Sequence, residues 1–267
     1  MSRIKLNRAM KAGLVIVVFF TLVAVFANQL VPYNPDVMYD SYLEPSKLHK
    51  LGTNDVGQDI LSELIIGTRV SLTVGFFAAF VSTVIGTVLG ISAGYFGGKF
   101  DRAVTAITNV AMSIPSLPLA MLLVAFMKPG LLNLIIALSI TAWTGTARIL
   151  RTKTREICTL PFVKIEKTLG VGNGKIMFKH ILPNLIEIIM VRAALSISSA
   201  MVAEAGLSFL GLGTYGKKSW GSILKYAFFR NSILHGQYWW YLPPIICISI
   251  AVIGFMLIGY YGMQHEY

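Results

Sequence analysis

The sequence predicts an all-α integral membrane protein with six transmembrane helices and both termini in the cytoplasm. Three observations support this fold class. Hydrophobic residues make up 55% of the 267-residue chain and charged residues only 13%, which is not the balance of a soluble domain. The apolar residues are clustered in six blocks, each close to the length needed to cross a bilayer. The basic residues collect at the ends of these blocks.

The six blocks define the predicted spans. About 20 apolar residues cross a hydrocarbon core of about 30 Å, because a helix rises about 1.5 Å per residue. The predicted spans are 12–29, 71–95, 103–126, 131–147, 184–203 and 242–261. No A-x-A cleavage pattern follows the first block, which favours a retained signal anchor over a cleaved signal peptide. Residues 1–69 are then an anchor helix with an outer loop, and residues 70–267 are the transmembrane domain.

The distribution of Lys and Arg predicts the orientation. With the N-terminus inside, fourteen of these residues flank the spans on the cytoplasmic side and eight on the outer side. Cytoplasmic flanks retain positive charge, so this excess indicates an N-in, C-in topology. The net charge of +11 is therefore explained by membrane topology and contact with lipid headgroups, and we expect no binding to nucleic acid.

Polar residues inside the third and fifth spans are candidates for a translocation path. Polar groups in hydrocarbon need either a partner on another helix or a water-filled path. For any single residue the helix-contact interpretation is the commoner one. The candidates are Asn109, Ser113, Ser116, Arg192, Ser196, Ser199 and Glu204.

The longest inner loop, residues 148–183, is predicted to fold as a helix, a turn and a second helix on the cytoplasmic face. Two helix-capable pieces are separated by the glycine-rich stretch 170–174. These glycines do not form a nucleotide-binding P-loop, since Gly174 and Lys175 are followed by Ile176 where Ser or Thr is required. The chain is therefore not expected to hydrolyse ATP, and the loop is predicted to dock onto a partner.

The sequence offers no catalytic or metal site. Its four histidines are scattered, Ser208 lacks the G-x-S-x-G context of a hydrolase nucleophile, and the two cysteines have no metal-site spacing. We therefore predict a protein that is not an enzyme.

Three stretches carry a resemblance to a known family. Residues 51–62 read LGTNDVGQDILS, residues 178–184 read FKHILPN, and residues 203–213 read AEAGLSFLGLG. They resemble the L-G-T-D-x-x-G-R-D-x-L-S, F-R-H-I-L-P-N and A-E-A-x-L-S-F-L-G-L-G motifs of bacterial ABC importer permeases. The branch is that of dipeptide, oligopeptide and nickel importers, and the first stretch is similar to the C-type subunit of its permease pair.

This resemblance implies a type I ABC importer permease fold in the bacterial cell membrane, with the loop at 148–183 carrying the coupling helix. It also implies four kinds of partner: a homologous second permease, two ATP-binding subunits, an extracytoplasmic substrate-binding protein, and membrane lipid. ATP and Mg²⁺ belong to the partner subunits, and this chain binds no cofactor. The residues that the resemblance assigns to ATPase coupling are Lys164, Ile165, Glu166, Gly170, Gly174, Phe178, His180, Leu182 and Pro183.

Two other classes of protein are weighed against this prediction. A secondary transporter would work without an ATPase, but the sequence shows no clear inverted repeat or coupling acid. A membrane-embedded enzyme would need the catalytic groups that are missing above. The substrate stays open between peptides and nickel or metal chelates.

Overall fold

The structure is a computed structural model that describes residues 7–262. Within this range it contains eleven α-helices and one π-helical turn, and no strand. The helices are α1 (Arg8–Val25), α2 (Ala27–Leu30), α3 (Ile60–Phe96), α4 (Gly98–Ser113), α5 (Ser116–Phe126), α6 (Leu131–Cys158), α7 (Pro161–Thr168), α8 (Asn173–Ile176), α9 (Leu182–Phe209), α10 (Trp220–Phe229) and α11 (Tyr238–Gly262), with the π-turn Met177–Ile181 joining α8 to α9.

Among the described residues, five helices are long and apolar enough to cross a membrane: α1, α3, α6, the continuous helix from Asn173 to Phe209, and α11. The predicted third span, 103–126, is not one helix. It is divided into α4 and α5, which meet at 87°. Pro115 lies at the break, and proline disfavours a helical backbone at the residue that precedes it. A sixth span is present only if this bent pair is counted as one.

Several helices extend beyond the apolar blocks that predicted them. α3 begins at Ile60 because the Asp59 side chain accepts a hydrogen bond from the Ser62 amide at 2.8 Å and caps the helix. The predicted division at residue 70 therefore falls inside a continuous helix. α6 likewise continues to Cys158, so the predicted inner loop is helical over its first part. An apolar block shows where a helix crosses hydrocarbon, not where it ends.

α3 lies at the centre of the bundle and packs mainly against α6 and α9. Gly86, Gly90 and Gly94 form a stripe on α3 that faces α6. A Cβ at Gly90 would lie 2.6 Å from the Ala147 carbonyl oxygen. The small residues therefore allow the two helix backbones to approach closely, which is how helices associate in a membrane without a hydrophobic driving force between them.

The anchor helix α1 lies at the edge of the bundle, against α11 and α3. Arg69 of α3 holds its C-terminal end. The Arg69 Nε donates to the Ala24 carbonyl oxygen at 2.9 Å, and Nη1 donates to Asn28 Oδ1 at 3.0 Å. Because the last carbonyl groups of a helix have no partners of their own, this guanidinium acts as their cap.

The stretch at residues 51–62 folds into a compact loop in front of α3. Asn54 Oδ1 accepts from the Val56 and Gln58 amides, and Asn54 Nδ2 donates to Glu63 Oε1 at 2.9 Å. His49 Nδ1 contacts Asp59 Oδ2 at 2.9 Å, and both side chains are buried. The polar residues of this motif are therefore used to fold the loop and to begin the helix.

Candidate translocation path and docking surface

The predicted helix–turn–helix is present at residues 161–176, which we call the docking segment. α7 ends at a turn in which Gly170 has a φ of 75°. The Val171 amide donates to the Glu166 carbonyl oxygen and the Gly170 amide to the Lys167 carbonyl oxygen, each at 3.1 Å. This pair of bonds forms a Schellman motif, in which the left-handed position is normally occupied by glycine.

One side of the docking segment is packed onto the bundle. Val163 and Ile176 are completely buried, in a cluster with residues of α3, α6 and α9. The Tyr95 hydroxyl of α3 donates to Asn173 Oδ1 at 2.8 Å, and Lys167 Nζ lies 4.3 Å from the centre of the Tyr95 ring. The segment is therefore fixed to the central helix at both ends of its turn.

The predicted coupling residues occupy three positions. Glu166 and His180 meet directly, with His180 Nε2 2.8 Å from Glu166 Oε1, so the two arms of the loop are joined. The members of a second group are exposed: Lys164, Ile165, Gly170, Gly174 and Phe178. Leu182 and Pro183 begin α9 directly after the π-turn, within the continuous helix from Asn173 to Phe209.

The exposed side of the docking segment carries several large apolar side chains. Ile165 is 58% exposed and Leu169 is 74% exposed, and Phe162 beside them is also exposed. Large apolar side chains grouped on a segment that is otherwise rigidly held are typical of a protein–protein contact. The sequence pattern did not single out Phe162 or Leu169.

A cavity of about 390 Å³ lies between the α4–α5 break, α6 and α9; we call it the central cavity. It brings together four of the predicted path residues: Ser116, Arg192, Ser196 and Ser199. Thr141 and Thr144 of α6 also line it, and sequence reasoning missed them. Their spacing of three residues on one helix face was the signal that could have indicated them.

Three predicted path residues lie elsewhere. Asn109 accepts a hydrogen bond from Arg148 Nη2 at 2.9 Å, which ties α4 to α6. The Ser113 hydroxyl donates to the Val110 carbonyl oxygen of its own helix at 2.7 Å. Neither residue lines the central cavity, so of the three candidates in the third span it is Ser116 that does.

Glu204 is also outside the central cavity, and it is 1% exposed. Its Oε1 accepts from the Ser208 hydroxyl at 2.6 Å and its Oε2 from the Ser71 hydroxyl at 3.1 Å. The Ser71 hydroxyl oxygen accepts in turn from the Trp220 amide at 3.2 Å. Glu204 therefore joins α3, α9 and α10. In this structure Glu204 does not line the central cavity, and its buried side chain is instead hydrogen-bonded by hydroxyl donors from α3 and α9.

The sequence matches a known family over most of its length. Residues 86–265 match the model of the family described as binding-protein-dependent transport system inner membrane component. The chain belongs to this family. Residues 1–46 match a second model, the N-terminal TM domain of oligopeptide transport permease C. The chain is thus a permease subunit of an ABC importer, and it is a transport protein rather than an enzyme.

The relatives of the permease agree with this assignment. It is 35% identical to the dipeptide transport system permease protein DppC of Bacillus subtilis, over 96% of this chain and 81% of that one. It is 33% identical to the oligopeptide transport system permease protein OppC of the same organism, over 97% and 85%. It is 34% identical to the glutathione transport system permease protein GsiD of Pectobacterium atrosepticum, over 94% and 83%.

A solved structure shows the same fold. The permease aligns with an inward-facing structure of the MetNI methionine ABC transporter with a TM-score of 0.58 and 21% identity, over 76% of this chain and 97% of that one. The comparisons support an importer permease of the inner membrane and not the secondary transporter or the membrane enzyme. Membership of the family implies an ATPase partner and a substrate-binding protein.

A larger cavity of about 710 Å³ lies at the other end of the permease from the docking segment. Lys218, just before α10, reaches into it and contacts Glu63 and Gln58. Burial lowers the pKa of Lys218 to about 8. The carboxylates of Asp55 and Asp36 act in the opposite direction, because they favour the charged form of the lysine. Sequence reasoning missed this cluster because its members are distant along the chain.

Within residues 7–262, no group of three or more His, Cys, Asp or Glu side chains is arranged to hold a metal ion. The central cavity is lined instead by hydroxyl groups, apolar side chains and one guanidinium.

Proposed function

We propose that this permease carries short peptides across the membrane as one of two homologous permease subunits, above two ATP-binding subunits that hold ATP and Mg²⁺. An extracytoplasmic binding protein delivers the peptide, and this chain binds no cofactor of its own. Relatives at 33–35% identity are named for dipeptides, oligopeptides and glutathione, which favours peptides over nickel or metal chelates.

The observation that carries this proposal is the docking segment, which has an apolar exposed side and a rigidly attached inner side. Ile165 and Leu169 offer the surface on which an ATPase groove closes, and the stretch from Gly170 to His180 seats beside it. The Tyr95–Asn173 hydrogen bond and the continuous helix from Asn173 to Phe209 connect that surface to α3 and α9. A movement of the segment is therefore transmitted to α9, which lines the central cavity, and to α3, which packs against α9.

The coupling follows from differential binding. ATP-driven closure of the partner subunits changes the permease only if the closed ATPase binds one arrangement of the docking segments better than another. The Glu166–His180 contact and the buried Val163 make the segment move as one unit. The helices then alternate between openings toward the two sides of the membrane.

Co-purification of the ATPase with tagged Ile165→Asp permease tests the docking surface. Burial of an isoleucine side chain contributes about 1.5–3 kcal/mol, so we expect about 10–100-fold weaker association. The control is Tyr215→Asp, because Tyr215 is 92% exposed and lies outside the docking segment. Equal recovery of ATPase with both variants would contradict the proposal.

The orientation of the docking segment is a separate test. A Leu169→Cys variant that also carries Cys158→Ser and Cys247→Ser has one reactive thiol among the described residues. We expect a membrane-impermeant maleimide to label it in inverted vesicles and not in right-side-out vesicles. Labelling from the outside would place the segment where no ATPase can reach it.

Transport itself is measured with the complete assembly. A strain that lacks the permease is supplied with the gene, and uptake of radiolabelled dipeptide is compared with uptake of radiolabelled nickel. We expect ATP-dependent uptake of the peptide. Uptake of nickel alone would assign the other substrate class.

A further inference from the structure

The central cavity contains a positive charge with no negative partner. Arg192 is the only Lys or Arg among its lining residues in the described chain, and no Asp or Glu lines it. No ion pair of Arg192 is present within residues 7–262. Its Nε is buried and has no hydrogen-bond partner. A cation in this setting is normally held by an anion, because burying an unpaired charge is costly.

Arg192 is positioned well inside the permease. It lies about 15 Å from the start of α9, which is about 42 Å long. Its Nη2 is 3.0 Å from the place where a Cβ of Gly145 would be, so the absence of a side chain there gives the guanidinium its room. An ionisable side chain at this depth that faces a cavity is typical of a substrate path.

A second feature of the cavity also favours an anion. α5 begins at Ser116 on the cavity wall, and no side chain caps its first N–H groups. These groups carry the positive end of the helix dipole. The Ser196 hydroxyl lies on the same wall as Arg192 and offers a further hydrogen-bond donor, whereas the Ser199 hydroxyl on that wall donates to the Leu195 carbonyl oxygen at 3.1 Å.

We propose that Arg192 binds the carboxylate of the transported solute while it passes through the central cavity. A guanidinium offers two parallel N–H donors that match the two oxygens of a carboxylate. The volume of about 390 Å³ is within the range of small-molecule sites. This inference rests on the proposed function, since every free peptide ends in a carboxylate. It adds that the permease itself, and not only the binding protein, selects for that group.

Uptake of the dipeptide Ala-Ala by the complete transporter in proteoliposomes tests this site. Loss of a charge-assisted hydrogen bond in Arg192→Gln is expected to lower uptake about 10–100-fold. Arg192→Lys keeps the charge but lacks the two parallel N–H donors, so it should lower uptake less. The control is Arg102→Gln, because Arg102 is exposed, lies outside the cavity and, among the described residues, donates only to the Gly98 carbonyl oxygen of its own helix.

A labelling experiment measures binding directly. Ser199→Cys, with Cys158→Ser and Cys247→Ser, places a single thiol on the cavity wall. We expect Ala-Ala to slow maleimide labelling of this thiol more than Ala-Ala amide does. The difference should disappear when Arg192→Gln is added.

The outcomes separate this inference from the proposed function. Equal protection by the acid and the amide, or no protection by either, overturns the carboxylate site. Loss of the assembled complex in Arg192→Gln also overturns it, because Arg192 would then bind an acidic group of the second permease. If the unaltered transporter imports no peptide with ATP, the proposed function fails instead.

Discussion

The change Gly170→Ala tests whether the turn after α7 must keep its left-handed backbone for coupling. Gly170 has a φ of 75°, at which a residue with a Cβ costs about 1–2 kcal/mol. An added Cβ would meet no atom within 4 Å, so within this chain the whole cost comes from the backbone. A cost of this size lowers the ratio of docking-competent to distorted turns by about 5–30-fold.

Gly172→Ala is the matched control, since its Cβ would also enter open space while its φ is −60°. We expect Gly170→Ala to lower ATP-dependent peptide uptake per assembled transporter by up to this factor, and Gly172→Ala to lower it much less. Gly170→Asn should lie between them, because asparagine adopts the left-handed region more readily than alanine. Equal uptake by the two alanine variants in proteoliposomes would refute the reasoning.

Three further changes test the packing of the bundle. Gly90→Ala brings a Cβ to 2.6 Å from a carbonyl oxygen of α6. We expect this variant to lose about 1–3 kcal/mol of stability and to have a lower melting temperature in detergent. The control is Gly206→Ala, whose added Cβ meets no atom and which should not lower the melting temperature. Tyr95→Phe removes the bond to Asn173, so the peptide imported per ATP hydrolysed should fall while membrane levels stay constant. Glu204→Leu should lower the amount of permease in membranes, measured by immunoblot, because leucine leaves buried hydroxyls unpaired. Glu204→Gln should lower this amount much less.

The helix α3 shows how far local sequence information reaches. Its apolar block predicted the span, whereas the close packing of Gly86, Gly90 and Gly94 against α6 is seen in the structure. The start of α3 at Ile60 lies well before the predicted span 71–95. It depends on the cap at Asp59, and a helix end is set by a few hydrogen bonds rather than by the hydrophobicity of the whole segment.

The candidate path shows where such information ends. Ser116, Arg192, Ser196 and Ser199 do meet in one cavity, but Glu204 shares the helix of Arg192 and is bound to Ser71 and Ser208 instead. Polarity within a span indicates that a side chain needs partners. It does not indicate whether those partners belong to a neighbouring helix or to a transported solute.

The sequence by itself determined that the chain is an all-helical membrane protein, that its long loop folds as helix, turn and helix, and that it resembles importer permeases. These features depend on composition and on short stretches of chain. Only the tertiary structure decided that the third span bends by 87°, that the docking segment is held by Tyr95, and that Arg192 faces a cavity lined by no acidic residue of the range 7–262. The physical reason is that these contacts join helices far apart in the chain, and hydrophobicity places each helix in the membrane without selecting its neighbours.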